Sequence, residues 1–150
     1  MRLTAATARA QLEAQDHGVL CTVHAERGVD AVPVVFAVHG DLLAIPVDTL
    51  KPKSTTRLQR EENLLLDPRA TLLVEHWDPL DWSRLWWARA TLLSEGQTSP
   101  GEEAELGCEL ATKYVQYRDQ PFVRVLPLRI LSVTGWSAEP HEGGADDELP

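Results

Sequence analysis

The chain has little from which a familiar catalytic signature could be built. Its two cysteines, Cys21 and Cys108, stand far apart and form no CxxC pair, so the spacing writes neither a zinc knuckle nor a dithiol redox centre. Both fall in segments of apolar character and read as buried thiols. The five histidines do not cluster: His24, His39 and His76 each border a strand end, and no HxxxH or Cys/His spacing occurs, which sets a metal site aside. There is no glycine-rich loop, hence neither a P-loop nor a dinucleotide fingerprint, and no GxSxG elbow. No apolar run reaches the length of a membrane span, and none at the N-terminus marks a signal peptide. The expectation is a cytoplasmic protein without membrane contact. Positive charge is also scarce: 14 Lys and Arg face 23 Asp and Glu, for a formal net charge of -9. That balance argues against non-specific nucleic-acid binding.

What is present is a chain of 150 residues, the size of one domain with a self-sufficient core. Leu3 to Gln15 is alanine-rich and predicts a helix, closed by Gly18. Val19–His24, Ala31–Val38 and Leu42–Val47 predict strands, the second apolar on both faces and so expected to be covered on both. Pro33 within it marks an edge or a bulge. A helix is expected over roughly Thr55–Asp67, strands over Ala70–His76 and Arg84–Leu93, and a helix over Glu102–Gln116, where Ala104, Cys108, Ala111 and Val115 give a helical stripe. A long strand, Val123–Trp136, ends the domain at residue 136. Residues 137–150 hold five acids and no Lys or Arg, and read as a disordered acidic tail. Six short strands and three helices point to a mainly β, α+β fold: a six-stranded antiparallel barrel with peripheral helices.

One stretch draws attention on chemical grounds. Leu50-Lys51-Pro52-Lys53-Ser54-Thr55-Thr56-Arg57 leaves a strand and enters the expected second helix with three cations around its start. A helix N-terminus prefers acids. An anion bound there would satisfy the free N–H groups and the lysines together. The alternative is a solvated surface turn in which Ser54 or Thr55 is only an N-cap. A second concentration is aromatic: four of the five tryptophans lie between Trp77 and Trp87. Such a cluster serves as core, dimer contact or stacking wall for a planar ligand. Trp86 and Trp87 suit core or dimer contact. Trp82, in a loop flanked by Arg84 and Arg89, has the better claim on a ligand. Asp78 and Asp81, beside Pro79, read as turn formers.

Three segments together resemble a known family. Val32-Pro33-Val34-Val35-Phe36, then Lys51 to Leu58, then Asp81-Trp82-Ser83-Arg84-Leu85-Trp86-Trp87-Ala88-Arg89 are similar to the pyridoxamine-phosphate-oxidase-like split β-barrel superfamily, and within it to the actinobacterial branch that uses the deazaflavin coenzyme F420. The resemblance spans about Leu3 to Trp136. It implies a split barrel that forms a homodimer, with a cofactor in each groove between subunits. The ring would lie along Pro33, Val34, Val35 and Phe36. The phosphate would be held by Lys51, Lys53, Ser54 and Arg57, with Val47 and Thr55 beside them and Trp82 and Trp86 lining the site or the dimer seam. The implied activity is hydride transfer between F420 and a small unsaturated or quinone-like acceptor. FMN is the alternative cofactor, and a non-enzymatic cofactor- or haem-binding module is the alternative role. No protein acid or base is singled out, so the catalytic residues stay unknown.

Overall fold

The computed structural model describes residues 1–48 and 57–139. Three helices, α1 (Ala5–Glu13), α2 (Gln59–Leu66) and α3 (Pro100–Lys113), accompany seven strands: β1 (Gly18–His24), β2 (Gly28–Val34), β3 (Ala37–His39), β4 (Leu42–Asp48), β5 (Arg69–His76), β6 (Trp86–Ser94) and β7 (Phe122–Ser137). Single 3-10 turns occur at Trp82–Arg84 and Val115–Tyr117. The strands form one antiparallel sheet in the order β2-β1-β5-β6-β7-β4-β3. The fold is therefore mainly β with three helices, but it has seven strands where six were expected.

The additional strand comes from the apolar run Ala31–Val38, which is two strands. β2 pairs with β1 at one edge of the sheet and β3 pairs with β4 at the other. Only Val35 and Phe36 separate them. Seven flat strands would put the two edges about 29 Å apart, at about 4.8 Å per strand. The three steps from Val34 to Ala37 span at most about 11 Å. The sheet must therefore curl until its edges face each other, and a covalent link rather than a hydrogen-bonded ladder joins them. Edge placement also corrects the expected coverage of this run. Val29 is 68% exposed, and Ala31 and Pro33 are exposed as well. Pro33 lies on an edge strand, where a missing donor is tolerated.

Local chemistry sets the helix ends. α2 starts at Gln59, not near Thr55, because Leu58 is extended (φ -82°, ψ 154°). Its first turn carries Glu61 and Glu62, and the Glu61 carboxylate accepts the Leu58 N–H at 2.8 Å. Two acids thus offset the one cation, Arg60, at the positive end of the helix dipole. Residues 49–56, with Lys51, Lys53, Ser54 and Thr55, lie outside the described residues, so the expected phosphate turn does too. α3 is capped by Ser99, which exchanges hydrogen bonds with Glu102. Its buried face is Leu106 and Leu110, not the expected Ala104–Cys108–Ala111–Val115 stripe. Val115 is 67% exposed, Cys108 is exposed and Cys21 is half-buried, against the expectation of buried thiols. Both stripes have helical spacing, and the leucines win because they remove more apolar area from water.

Inside the curled sheet, Leu20, Phe36, Leu43, Ile45, Leu72, Val74, Leu92 and Leu128 form the main core, with Ala8 and Leu12 of α1 packed into it. Leu106 and Leu110 of α3 form a second cluster with Ala37, Ala44, Tyr117 and Val125. β7 includes Ser137, the first residue of the expected tail, while residues 140–150 lie outside the described set. Among the described residues no helix is long and apolar enough to cross a membrane.

Candidate functional site

β3 pairs only with Leu42–Ala44, so beyond Ala44 the outer edge of β4 carries no strand among the described residues. A groove of about 420 Å³ opens at this place. Ile45, Pro46 and Asp48 of β4 form one wall, and Pro33, Val34 and Val35 form the wall opposite. Tyr117 enters from the turn after α3, Leu58 and Arg60 from the start of α2, and His17 from the approach to β1. The groove therefore sits at the split between the two sheet edges, apolar along its strand walls except at Asp48 and polar where the helices meet it.

Arg60 dominates the electrostatics. Its guanidinium is half-buried, and loss of solvation pulls its pKa below the usual arginine range, partly offset by the charges of Glu61 and Asp48. One terminal nitrogen donates to the Pro46 carbonyl at 3.4 Å, a long contact. Its Nε is buried without a hydrogen-bond partner among the described residues. Across the groove the Tyr117 hydroxyl donates to the Asp48 carboxylate. Burial and the Asp48 charge hold the Tyr117 phenol well above its ordinary range, so it stays a neutral donor. A half-buried, under-satisfied cation in a largely apolar groove suits an anionic group on a flat ligand.

Pro33, Val34 and Val35 line this groove. Phe36 does not: its side chain is fully buried in the core. Val47 is 2% exposed and is absent from the groove wall formed by its neighbours Pro46 and Asp48. Arg57 lines a different cavity, of about 490 Å³, with Glu61 and Arg124, which form an ion pair there. Trp82 is 66% exposed and leans on Trp77, ring centroids 5.6 Å apart. Trp86 stacks with His76 at 6.3 Å and lines a third depression with Trp77, Trp87 and Arg89. Within one chain, then, the strand residues are brought together and the tryptophans are not brought to them. Arg60, Asp48, Tyr117 and His17 were missed by sequence reasoning. The signal for Arg60 was an arginine in the first turn of a helix, unfavourable for the dipole, three residues after Arg57. That for Tyr117 was the Tyr-Val-Gln-Tyr spacing before Pro121.

The outer face of the sheet runs from this groove toward the tryptophans. Pro33, Val19, Leu73 and Arg89 are successive register partners across β2, β1, β5 and β6. Beside them Trp87 faces Trp136, which is 38% exposed, and Val19 is 37% exposed. The guanidinium of Arg89 lies 5.3 Å from the Trp87 ring centroid.

A curled antiparallel sheet, open at one seam, with a groove at that seam and helices around it, has the architecture of a split barrel. Solved structures with this architecture overlay most of the chain. One is a conserved hypothetical protein from Mycobacterium tuberculosis, with a TM-score of 0.71 at 18% identity, covering 95% of this chain and 94% of that one. A second is a FAD-binding protein from Mesorhizobium loti, with a TM-score of 0.62 at 16% identity, covering 90% and 93%. A third, from Corynebacterium glutamicum, is named as a candidate pyridoxamine 5'-phosphate oxidase, with a TM-score of 0.54 at 14% identity, covering 91% and 98%. No protein-family model and no curated protein sequence matches the chain.

Proposed function

We propose that this protein is an oxidoreductase that binds a phosphorylated flavin-like cofactor, coenzyme F420, in the groove at the seam. The observation that carries the reading is Arg60: a half-buried guanidinium whose buried Nε has no partner among the described residues, set in a groove between two largely apolar strand walls. Pro33, Val34 and Val35 would bear the flat ring. Arg60 would hold an anionic group, and Lys51 and Lys53, which precede α2 in the sequence, are proposed as further ligands of it. The cofactor, when bound, supplies the hydride chemistry, and a small unsaturated or quinone-like acceptor receives it. The chain's own residues bind, orient and exclude water. Tyr117, kept neutral, donates to Asp48 and fixes that carboxylate.

The apolar outer face supports a homodimer. Val19, Pro33, Leu73, Trp87 and Trp136 share the outer face beside the groove with Glu75 and Arg89, and a second copy on it would place aromatic side chains near the cofactor. FMN is the second reading, supported by the FAD-binding protein of the same architecture. A side-by-side titration of the purified protein with F420 and FMN, followed by an F420 oxidation assay, tests both. Tight F420 binding with turnover supports the proposal. Preferential FMN binding replaces the cofactor, and binding of neither overturns the reading of the groove. Tight binding without turnover on a broad acceptor panel marks a carrier module.

A further inference from the structure

The link that closes the barrel is held by one hydroxyl. Val35 and Phe36 belong to no strand, so the ladders leave the backbone of Phe36 to find partners elsewhere. Tyr114, at the end of α3, provides them. Its hydroxyl accepts the Phe36 N–H at 3.1 Å and lies 2.7 Å from the Phe36 carbonyl. The same oxygen lies 2.7 Å from the carbonyl of Asp16. A phenol has one proton and two lone pairs, so the proton is shared between the two carbonyls. Asp16 immediately precedes His17, and Val35 immediately precedes Phe36. His17 and Val35 both line the groove. α3 is fastened to the same seam by Lys113, whose ammonium lies 4.0 Å from the Phe36 ring centroid.

We propose that the Tyr114 hydroxyl is the positioning group of the groove: by joining the Val35–Phe36 link to the Asp16–His17 turn, it fixes the Pro33–Val35 wall and His17 relative to each other. Tyr114 does not line the groove and acts through the backbone of its neighbours. Burial pushes its phenol up to about 12, so the hydroxyl keeps its proton across the physiological range. The inference rests on the reading of the groove as a cofactor site.

The test is Tyr114→Phe, which removes one oxygen, beside His39→Gln, which removes another anchor of α3, to Glu105 and Glu109, away from the groove. Amide exchange without ligand is read first. Exchange at Phe36 should accelerate about tenfold in Tyr114→Phe and stay unchanged in His39→Gln. Affinity for whichever of F420 or FMN the wild type binds should then fall about tenfold in Tyr114→Phe only. The visible band of the residual bound cofactor should move toward that of the free compound. Wild-type affinity and wild-type exchange at Phe36 in Tyr114→Phe would overturn the proposal. If the wild type binds neither cofactor, the functional reading fails while the exchange arm still decides the clamp. If Tyr114→Phe does not fold, the wild type decides: its Phe36 amide should be as protected as the strands, although it lies in no ladder, and rapid exchange there would overturn the clamp.

Discussion

Arg60→Met separates binding from stability with a single change. Methionine keeps most of the unbranched length and the apolar stem of arginine, so packing against Leu58 and the groove wall is largely retained. What is lost is a guanidinium whose environment disfavours its charge. The variant also loses one bond to the Pro46 carbonyl, at 3.4 Å near the limit of a useful hydrogen bond. An unsatisfied buried donor costs about 1–3 kcal/mol, and relief of that cost at Nε outweighs the loss of a long contact worth about 0.5 kcal/mol. The ligand-free variant should therefore be as stable as the wild type or up to about 1 kcal/mol more stable, a rise of about 2–4 °C in melting temperature for a chain of this size. Binding should move the other way. A charge-assisted bond contributes about 1.5–3 kcal/mol, so cofactor affinity should fall about ten- to a hundredfold. Thermal unfolding with and without ligand, and a fluorescence titration, read the two effects. A variant that melts well below the wild type and binds as tightly would refute the reasoning, since Arg60 would then be a structural residue.

Other consequences can be checked independently. His39 contacts Glu109 and Glu105 of α3, and the hydrogen bond to Glu109, then the charges of both acids, raise its pKa above the ordinary 6.5. A raised folded-state value means that the contribution is complete below the unfolded value and is lost as pH rises through the folded one. The melting temperature should therefore decline from about pH 6.5 upward more steeply in the wild type than in His39→Gln, and parallel curves would remove the clasp. Val19→Lys places a charge in the middle of the apolar outer face. It should convert a dimer to a folded monomer by light scattering with an unchanged circular dichroism spectrum; an unchanged mass would move the subunit contact elsewhere.

Much of the sheet is legible in the sequence. β4, β5 and β7 are apolar or alternating runs bounded by turn residues, and each lies within two or three residues of where its pattern puts it. The division of Ala31–Val38 is not legible, because a continuous apolar run carries no mark of which strands its two halves will join. That is decided by the curl of the whole sheet. The α3 stripe failed for a related reason: Ala104–Cys108–Ala111–Val115 and Leu106–Leu110 have compatible spacings, and only side-chain size separates them. At the site, the wall from Pro33 to Val35 could be anticipated from a resemblance in local sequence. The joint placement of Arg60, Asp48 and Tyr117 could not, since they come from a helix start, a strand end and a turn that meet only when the barrel is formed.

The two-residue link between the sheet edges has a consequence for how the chain folds. It lies in the first quarter of the sequence, ahead of β5, β6 and β7. The two outermost strands are thus tethered within about 11 Å of each other before most of the strands that must lie between them have been made. Every later strand is added inside a loop whose ends are already fixed, so an open, flat arrangement is excluded at each stage rather than rejected at the end. The curvature that makes the groove is imposed by three consecutive peptide links near the N-terminus, and the remaining ladder conforms to it.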